Sequence, residues 1–169
     1  MIVIRPTASL AKRMKVKLAD TDQISTGKLG DWYALNIVLA RKQYIMAVSS
    51  VTRLAVILEA APYATFPDRL PSAVKELLTF MAISKDAITS ELFHMSHRVL
   101  AKTQNRSILG TMNDHRFQLE VRMSHDPWGK FMTTLEMAKM LNNIPSLVLP
   151  GTYPESVTKE LFASGPILG

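Results

Sequence analysis

Between Asp31 and Ala40 the sequence is apolar in both phases of an alternation, with Tyr33, Leu35, Ile37 and Leu39 interleaving with Trp32, Ala34, Asn36, Val38 and Ala40. A strand with one wet face would carry polar residues in one phase, so this pattern predicts a strand largely buried on both faces. Such a strand needs a sheet around it and helices to cover that sheet.

The flanking sequence supplies both. Ile2 to Arg5 reads as a first strand ended by Pro6-Thr7, after which Thr7 or Ser9 caps a short basic helix through Leu10, Met14 and Leu18. Arg41-Lys42 turns the chain into Gln43 to Val48, and Ser49 to Arg53 turns it into Leu54 to Glu59, which makes an antiparallel meander. Beyond Pro62 the period is helical. Pro71 suits the first turn of a helix with Val74, Leu77, Leu78 and Met81 on its apolar face, and Ser84 caps a second carrying Ile88, Leu92, Met95 and Val99. A third is predicted from about Ser107 to Met123, and a fourth, apolar on most sides, from Lys130 to Asn142. The expected fold is α+β, with a small N-terminal antiparallel sheet of about four strands packed against C-terminal helices. One domain is expected over residues 1–144, with 145–169 a C-terminal tail holding a short helix from Glu155 to Phe162.

Composition removes several classes of function. At 169 residues and 47% hydrophobic content the chain suits one compact domain and excludes disorder, collagen and coiled coil. The absence of Cys removes disulfides, thiolate zinc sites and cysteine nucleophiles. The longest uncharged stretch, Met140 to Pro154, holds two Asn and three Pro, so no membrane span is expected. Arg5 and Pro6 interrupt any apolar leader, and a cytoplasmic location is expected.

The charge is unevenly placed. Residues 1–53 hold nine bases against three acids, a surplus of +6 that equals the net charge of the whole chain, whereas the remainder balances. A positive region raises the local concentration of anions such as nucleic acid, while the competing reading is a solvated surface that aids solubility. On a continuous helix Arg98, Lys102 and Arg106 would form one row, and a bend at Asn105 would add backbone donors to Ser107 and its neighbours. Arg5, Lys12, Arg13, Trp32, Arg53, Lys102, Arg106 and Ser107 are therefore the candidate nucleic-acid or anion contacts, Trp32 as a stacking residue and Tyr33 as core. Thr7, Asn113, Asp114 and His115 are a candidate polar site, and Arg106, Asp114 and His115 the set a phosphodiester-cleaving enzyme would use. Glu91, His94 and His97 have helical spacing but no zinc signature, so neither metal nor cofactor is expected. The Met-rich helix over 130–142 is either buried or docked on a protein partner or a second copy.

Arg5-x-Thr7, Gly30-Asp31-Trp32-Tyr33-Ala34, Thr52-Arg53-Leu54-Ala55-Val56, and the run from Lys102 through Arg106-Ser107-Ile108-Leu109-Gly110 to Asn113-Asp114 together resemble the ordered motifs of a bacterial family of unknown function. The resemblance spans about residues 1–125 and implies a single bacterial domain without an assigned reaction. The resulting expectation is a regulatory or defence-type module that engages nucleic acid or another polyanion. The alternatives are a protein-interaction module, such as a toxin–antitoxin partner, and a phosphodiester-cleaving enzyme.

Overall fold

The computed structural model describes residues 1–125, 132–146, 148 and 152–163. Five strands, β1 (Ile2–Pro6), β2 (Trp32–Leu39), β3 (Lys42–Ser49), β4 (Ala55–Glu59) and β5 (Arg98–Leu100), form one sheet in the order β4-β3-β2-β1-β5. The helices are α1 (Ala8–Met14), α2 (Phe66–Phe80), α3 (Lys85–His94), α4 (Arg106–His125), α5 (Thr134–Asn142) and α6 (Pro154–Ala163). The class is α+β, as expected. No helix among the described residues is long and apolar enough to cross a membrane.

The meander β2-β3-β4 is antiparallel, with Trp32 opposite Ser49 and Leu39 opposite Lys42. β1 makes the sheet mixed, because it runs parallel to β2 on one side and to β5 on the other. Its parallel pairing with β2 follows from α1, which carries the chain back before β2 begins. β5 corrects the expectation of a helix through Val99. α3 stops at His94, and Val99 pairs with Val3 while Ile2 N donates to His97 O and Ala101 N to Ile4 O, both at 2.9 Å. The outer edge of buried β1 needs hydrogen-bond partners, and a short apolar run satisfies them as a strand, whereas its spacing alone also fits a helix. α2 begins at Phe66, five residues before Pro71, because Pro67 occupies the first turn, where no N–H is needed.

Both phases of the strands are buried. Ile2, Ile4, Trp32, Ala34, Ile45 and Val56 pack against Leu10 of α1, Phe66, Leu70 and Leu78 of α2 and Ile88 of α3. Tyr33, Leu35, Ile37, Met46 and Ile57 face Ile108, Met112 and Leu119 of α4 and Met137 and Leu141 of α5. Trp32 is therefore fully buried, not an exposed stacking residue, since its phase of β2 faces a helical layer as much as the Tyr33 phase does.

The Met-rich helix is α5, which starts at Thr134 behind the Thr133 cap; Lys130 and Phe131 lie outside the described residues. Met137, Ala138 and Leu141 are buried within the chain. At its end the Asn142 amide pairs with Ala55 in both directions, accepting from Ala55 N at 2.8 Å and donating to Ala55 O at 2.9 Å. α6 is tied to the β3–β4 turn, with the buried Thr158 hydroxyl 2.9 Å from that of Thr52, and Leu161 and Phe162 pack against the first core.

Two buried charges organise the loops. Glu91 of α3 accepts from Lys28 N at 2.9 Å and Leu29 N at 3.1 Å. A Cβ on Gly27 would stand 2.6 Å from the same carboxylate, so a larger residue there would require Glu91 to shift. On β1, Arg5 donates from Nε to Asp31 Oδ2 at 2.7 Å and from Nη1 to Lys102 O at 2.6 Å. Ser25 donates to the second Asp31 oxygen at 2.6 Å, and Asp31 N donates to Ser50 Oγ at 2.8 Å. Removing one member of such a pair leaves an uncompensated charge, so Arg5→Met is expected to cost about 3 kcal/mol in urea unfolding. Arg5→Met combined with Asp31→Asn is expected to recover part of that loss, and an additive double variant would show that the pair is not coupled.

Candidate functional site

α4 begins where Asn105 caps it, its Oδ1 accepting from Ser107 N at 2.9 Å and Ile108 N at 3.2 Å. From that start Ser107, Thr111 and His115 recur every four residues and share one face. Together with Gly110, Asp114 and Gln118 they line a cleft of about 400 Å³ closed by Ile144, Pro145, Ser146 and Val148. His115 is 5% exposed and its Nε2 is buried without a partner. Burial lowers its pKa from 6.5 to about 4, partly opposed by Asp114, so the imidazole is neutral at pH 7.

Arg53 stands at the head of this face. It sits in the β3–β4 turn at φ 63°, a left-handed backbone that non-glycine residues seldom adopt. Its side chain is buried, with Nη1 donating to Ser50 O at 2.9 Å and Nη2 reaching Ser107 Oγ at 3.4 Å. Burial lowers its pKa, with Tyr33 opposing the shift.

The other candidate residues divide by environment. Arg5 is enclosed by Asp31 and Lys102 O and is spent on the fold. Arg98, Lys102 and Arg106 do not form a helical row: Arg98 lies in β5 and pairs with Asp68 at 2.6 Å, Lys102 follows β5 and pairs with Asp20 at 3.3 Å, and Arg106 opens α4. Thr7 caps α1 and, with Asn36, Asn113 and Arg116, lines a separate cavity of about 390 Å³. Asn113 and Asp114 thus serve different surfaces, as successive residues on a helix do. Asp114 and His115 share the α4 cleft, whereas Arg106 is not among its lining residues. Glu91 is engaged by backbone amides and His94 Nδ1 lies 2.7 Å from Thr26 Oγ1; among the described residues no three acids or histidines are grouped to hold a metal. Thr111, Gln118, Ile144, Pro145, Ser146 and Val148 were not anticipated as lining residues, although the spacing of Ser107, Thr111 and His115 marked one face.

The exposed bases gather elsewhere. Lys12 and Arg13 occupy the last turn of α1, and Arg13 reaches Gln43 Oε1 at 3.4 Å while its Cζ stands 5.6 Å from the Tyr63 ring centroid. The Tyr63 hydroxyl donates to the same Gln43 oxygen. Lys42, Gln43, Tyr44, Glu59 and Tyr63 line a cavity of about 410 Å³ beside them.

The His115 shift has a measurable consequence. The unfolded chain takes up a proton near pH 6.5 that the folded chain refuses until about pH 4. The stability tied to a neutral His115 is complete above pH 6.5 and declines as pH falls through that window, by up to about 3 kcal/mol. Urea unfolding at several pH values is expected to show this decline in the native chain and a smaller one in His115→Phe. Equal slopes in the two would mean that His115 titrates normally.

No curated protein and no solved structure matches the chain significantly. A family profile described as a domain of unknown function (DUF6933) matches residues 3–157, from β1 through the sheet and α4 into α6. The chain belongs to that family.

Proposed function

We propose that this chain is a cytoplasmic module that engages a polyanion, with nucleic acid as the polyanion, through the face formed by α1 and the β2–β3 hairpin. The observation that carries this reading is how the N-terminal bases divide. Arg5 and Arg53 are buried, whereas Lys12, Arg13, Lys15, Lys17, Lys28, Arg41 and Lys42 are all exposed. Of the nearby acids, Asp31 is taken by Arg5 and Asp20 by Lys102, while the exposed Glu59 lines the cavity beside Lys42 and leaves the bases in excess. The contact from Arg13 to Gln43 brings the α1 cations beside Lys42, with Tyr63 between them as the available aromatic ring. A surface of this kind contacts phosphates and carries no base code, because Trp32 is enclosed in the core. Lys12 and Arg13 also complement the C-terminal end of the α1 dipole, a contribution of a few tenths of a kcal/mol that does not account for Arg41 and Lys42.

Titration with random duplex and single-stranded nucleic acid at two salt concentrations tests the reading. Binding is expected to weaken with salt at a slope of roughly 0.9 per phosphate neutralised on duplex. Lys12→Glu/Arg13→Glu/Lys42→Glu is expected to abolish it, whereas Lys75→Glu/Lys85→Glu, on α2 and α3, is expected to retain most of it. Absent or salt-insensitive binding by the native chain would reject the proposal.

A further inference from the structure

β2 runs on past the strand beside it. β1 pairs with β2 only as far as Pro6 opposite Ala34, whereas β2 continues to Leu39. Thr7 ends β1 because it caps α1: its amide still meets Ala34 O at 2.9 Å, but its carbonyl accepts from Ala11 N at 2.9 Å and so belongs to the helix. Successive residues of a strand send their backbone groups to opposite neighbours. Asp31 O accepts from Ser50 N, so the odd residues of β2 bond to β3, and Ala34 O accepts from Thr7 N, so the even ones face β1. Asn36 and Val38 therefore point their N–H and C=O groups to the side that β1 has left, and nothing among the described residues answers them.

The space beside them is a groove. Leu35 and Asn36 project to opposite faces of the sheet, yet both line the cavity of about 390 Å³ described above, so that cavity lies along the edge of β2 rather than over a face. Ser9 of α1 forms one wall, and Leu109, Met112, Asn113 and Arg116 of α4 form the other. At the open end Val38 is 58% exposed. The Ser9, Asn36 and Asn113 side chains make no hydrogen bond to a described residue, and Arg116 has only Glu120, 3.9 Å from its Nε.

An open strand edge accepts one kind of guest, an extended peptide backbone whose own N–H and C=O groups continue the ladder. The α4 wall selects its side chains, apolar over Leu109 and Met112 and acidic beside Arg116. A second copy of this chain presenting the same edge brings cation to cation, because Arg116 lines the groove and Arg41 follows β2 in the hairpin turn. An acidic partner strand meets both with the opposite charge.

We propose that the edge of β2 from Asn36 to Val38 takes an extended segment of a partner protein as an added strand, with an apolar side chain of that segment on Leu109 and Met112 and an acidic one at Arg116. The added strand lies in line with β1. Its ladder bonds and its Arg116 contact use none of the cations of the basic face, so nucleic-acid binding can fail without this site failing, and the reverse.

Hydrogen exchange and peptide binding, both on the full chain, test the site. In the free protein the Asn36 and Val38 amides are expected to exchange fast, whereas those of Leu35 and Ile37, bonded to β3, are protected. The probe is a fluorescein-labelled peptide, Thr-Glu-Thr-Val-Thr-Glu-Thr, symmetric so that either strand direction sets valine between two acids on one face. It is expected to bind saturably in fluorescence anisotropy and to slow exchange at both amides, and its counterpart with lysine for glutamate is expected to bind far more weakly. Val38→Pro deletes one outward donor at an edge position that tolerates proline, and is expected to weaken binding roughly tenfold with an unchanged circular dichroism spectrum. Arg116→Glu, at an exposed position of α4, leaves the backbone edge intact and is expected to weaken binding of the acidic peptide as well. Salt-dependent nucleic-acid binding is expected to persist in Val38→Pro. Protected Asn36 and Val38 amides in the free chain, no saturable binding, equal binding of the lysine peptide, or binding undiminished in both variants would overturn the proposal. A dimer seen by light scattering and lost in Val38→Pro would assign the edge to a second copy and overturn it too.

Discussion

The Arg5–Asp31 pair is the interaction on which the remaining architecture depends. Two charges removed from water are costly to hold together, and here each is surrounded by further hydrogen bonds that offset the loss. Arg5 reaches the backbone beyond β5, Asp31 accepts from Ser25 of the preceding loop, and the Asp31 amide is fixed by Ser50 at the end of β3. Four segments far apart in sequence therefore converge on one guanidinium–carboxylate contact. The parallel placement of β1 between β2 and β5 is the geometry that lets one arginine reach Asp31 on one side and the backbone beyond β5 on the other.

Strands and helices whose pattern reflects their own burial were legible in the sequence. The double-phase alternation from Trp32 to Leu39 announced a strand covered on both sides, Ser84 fell as the expected cap, and of the two candidates Thr7 and Ser9 it is Thr7 that caps α1. β5 was not legible, because the three residues Arg98–Leu100 carry no period of their own and become a strand only through the unmet hydrogen bonds of β1. The row of Arg98, Lys102 and Arg106 failed for the same reason, since it rested on a helix that the edge of β1 prevents. Trp32 misled in another way: the alternation already placed both faces of β2 under cover, and the stacking role assigned to Trp32 went against that pattern.

Arg5 and Arg53 show why a basic residue in a motif does not identify its own role. Both are buried, and both contact a backbone carbonyl. Arg5 has a carboxylate and is complete. Arg53 has only neutral hydrogen-bond partners among the described residues and a turn that holds it in a left-handed backbone, so its charge is buried without a carboxylate beside it. The difference lies in the partners that tertiary structure delivers, Asp31 in one case and the N-terminal end of α4 in the other. His115, two turns along the same helix face, meets the cost of burial by remaining neutral, an option closed to arginine.

The Asn142 side chain does for β4, at Ala55, what a sixth strand would do, and Arg69 of α2 meets Glu59 O at the other end of the same strand at 2.8 Å. β4 is an outer strand of the sheet, and Ala55 is where its free backbone groups are answered by an amide that copies the peptide pattern. An unpaired outer strand of the composition Ala-Val-Ile-Leu is a template for joining another chain's strand, the first step of ordered aggregation. α5 therefore acts as a guard as well as a packing element. Replacing Asn142 would leave the Ala55 N–H and C=O without that amide, on the edge where another strand can pair.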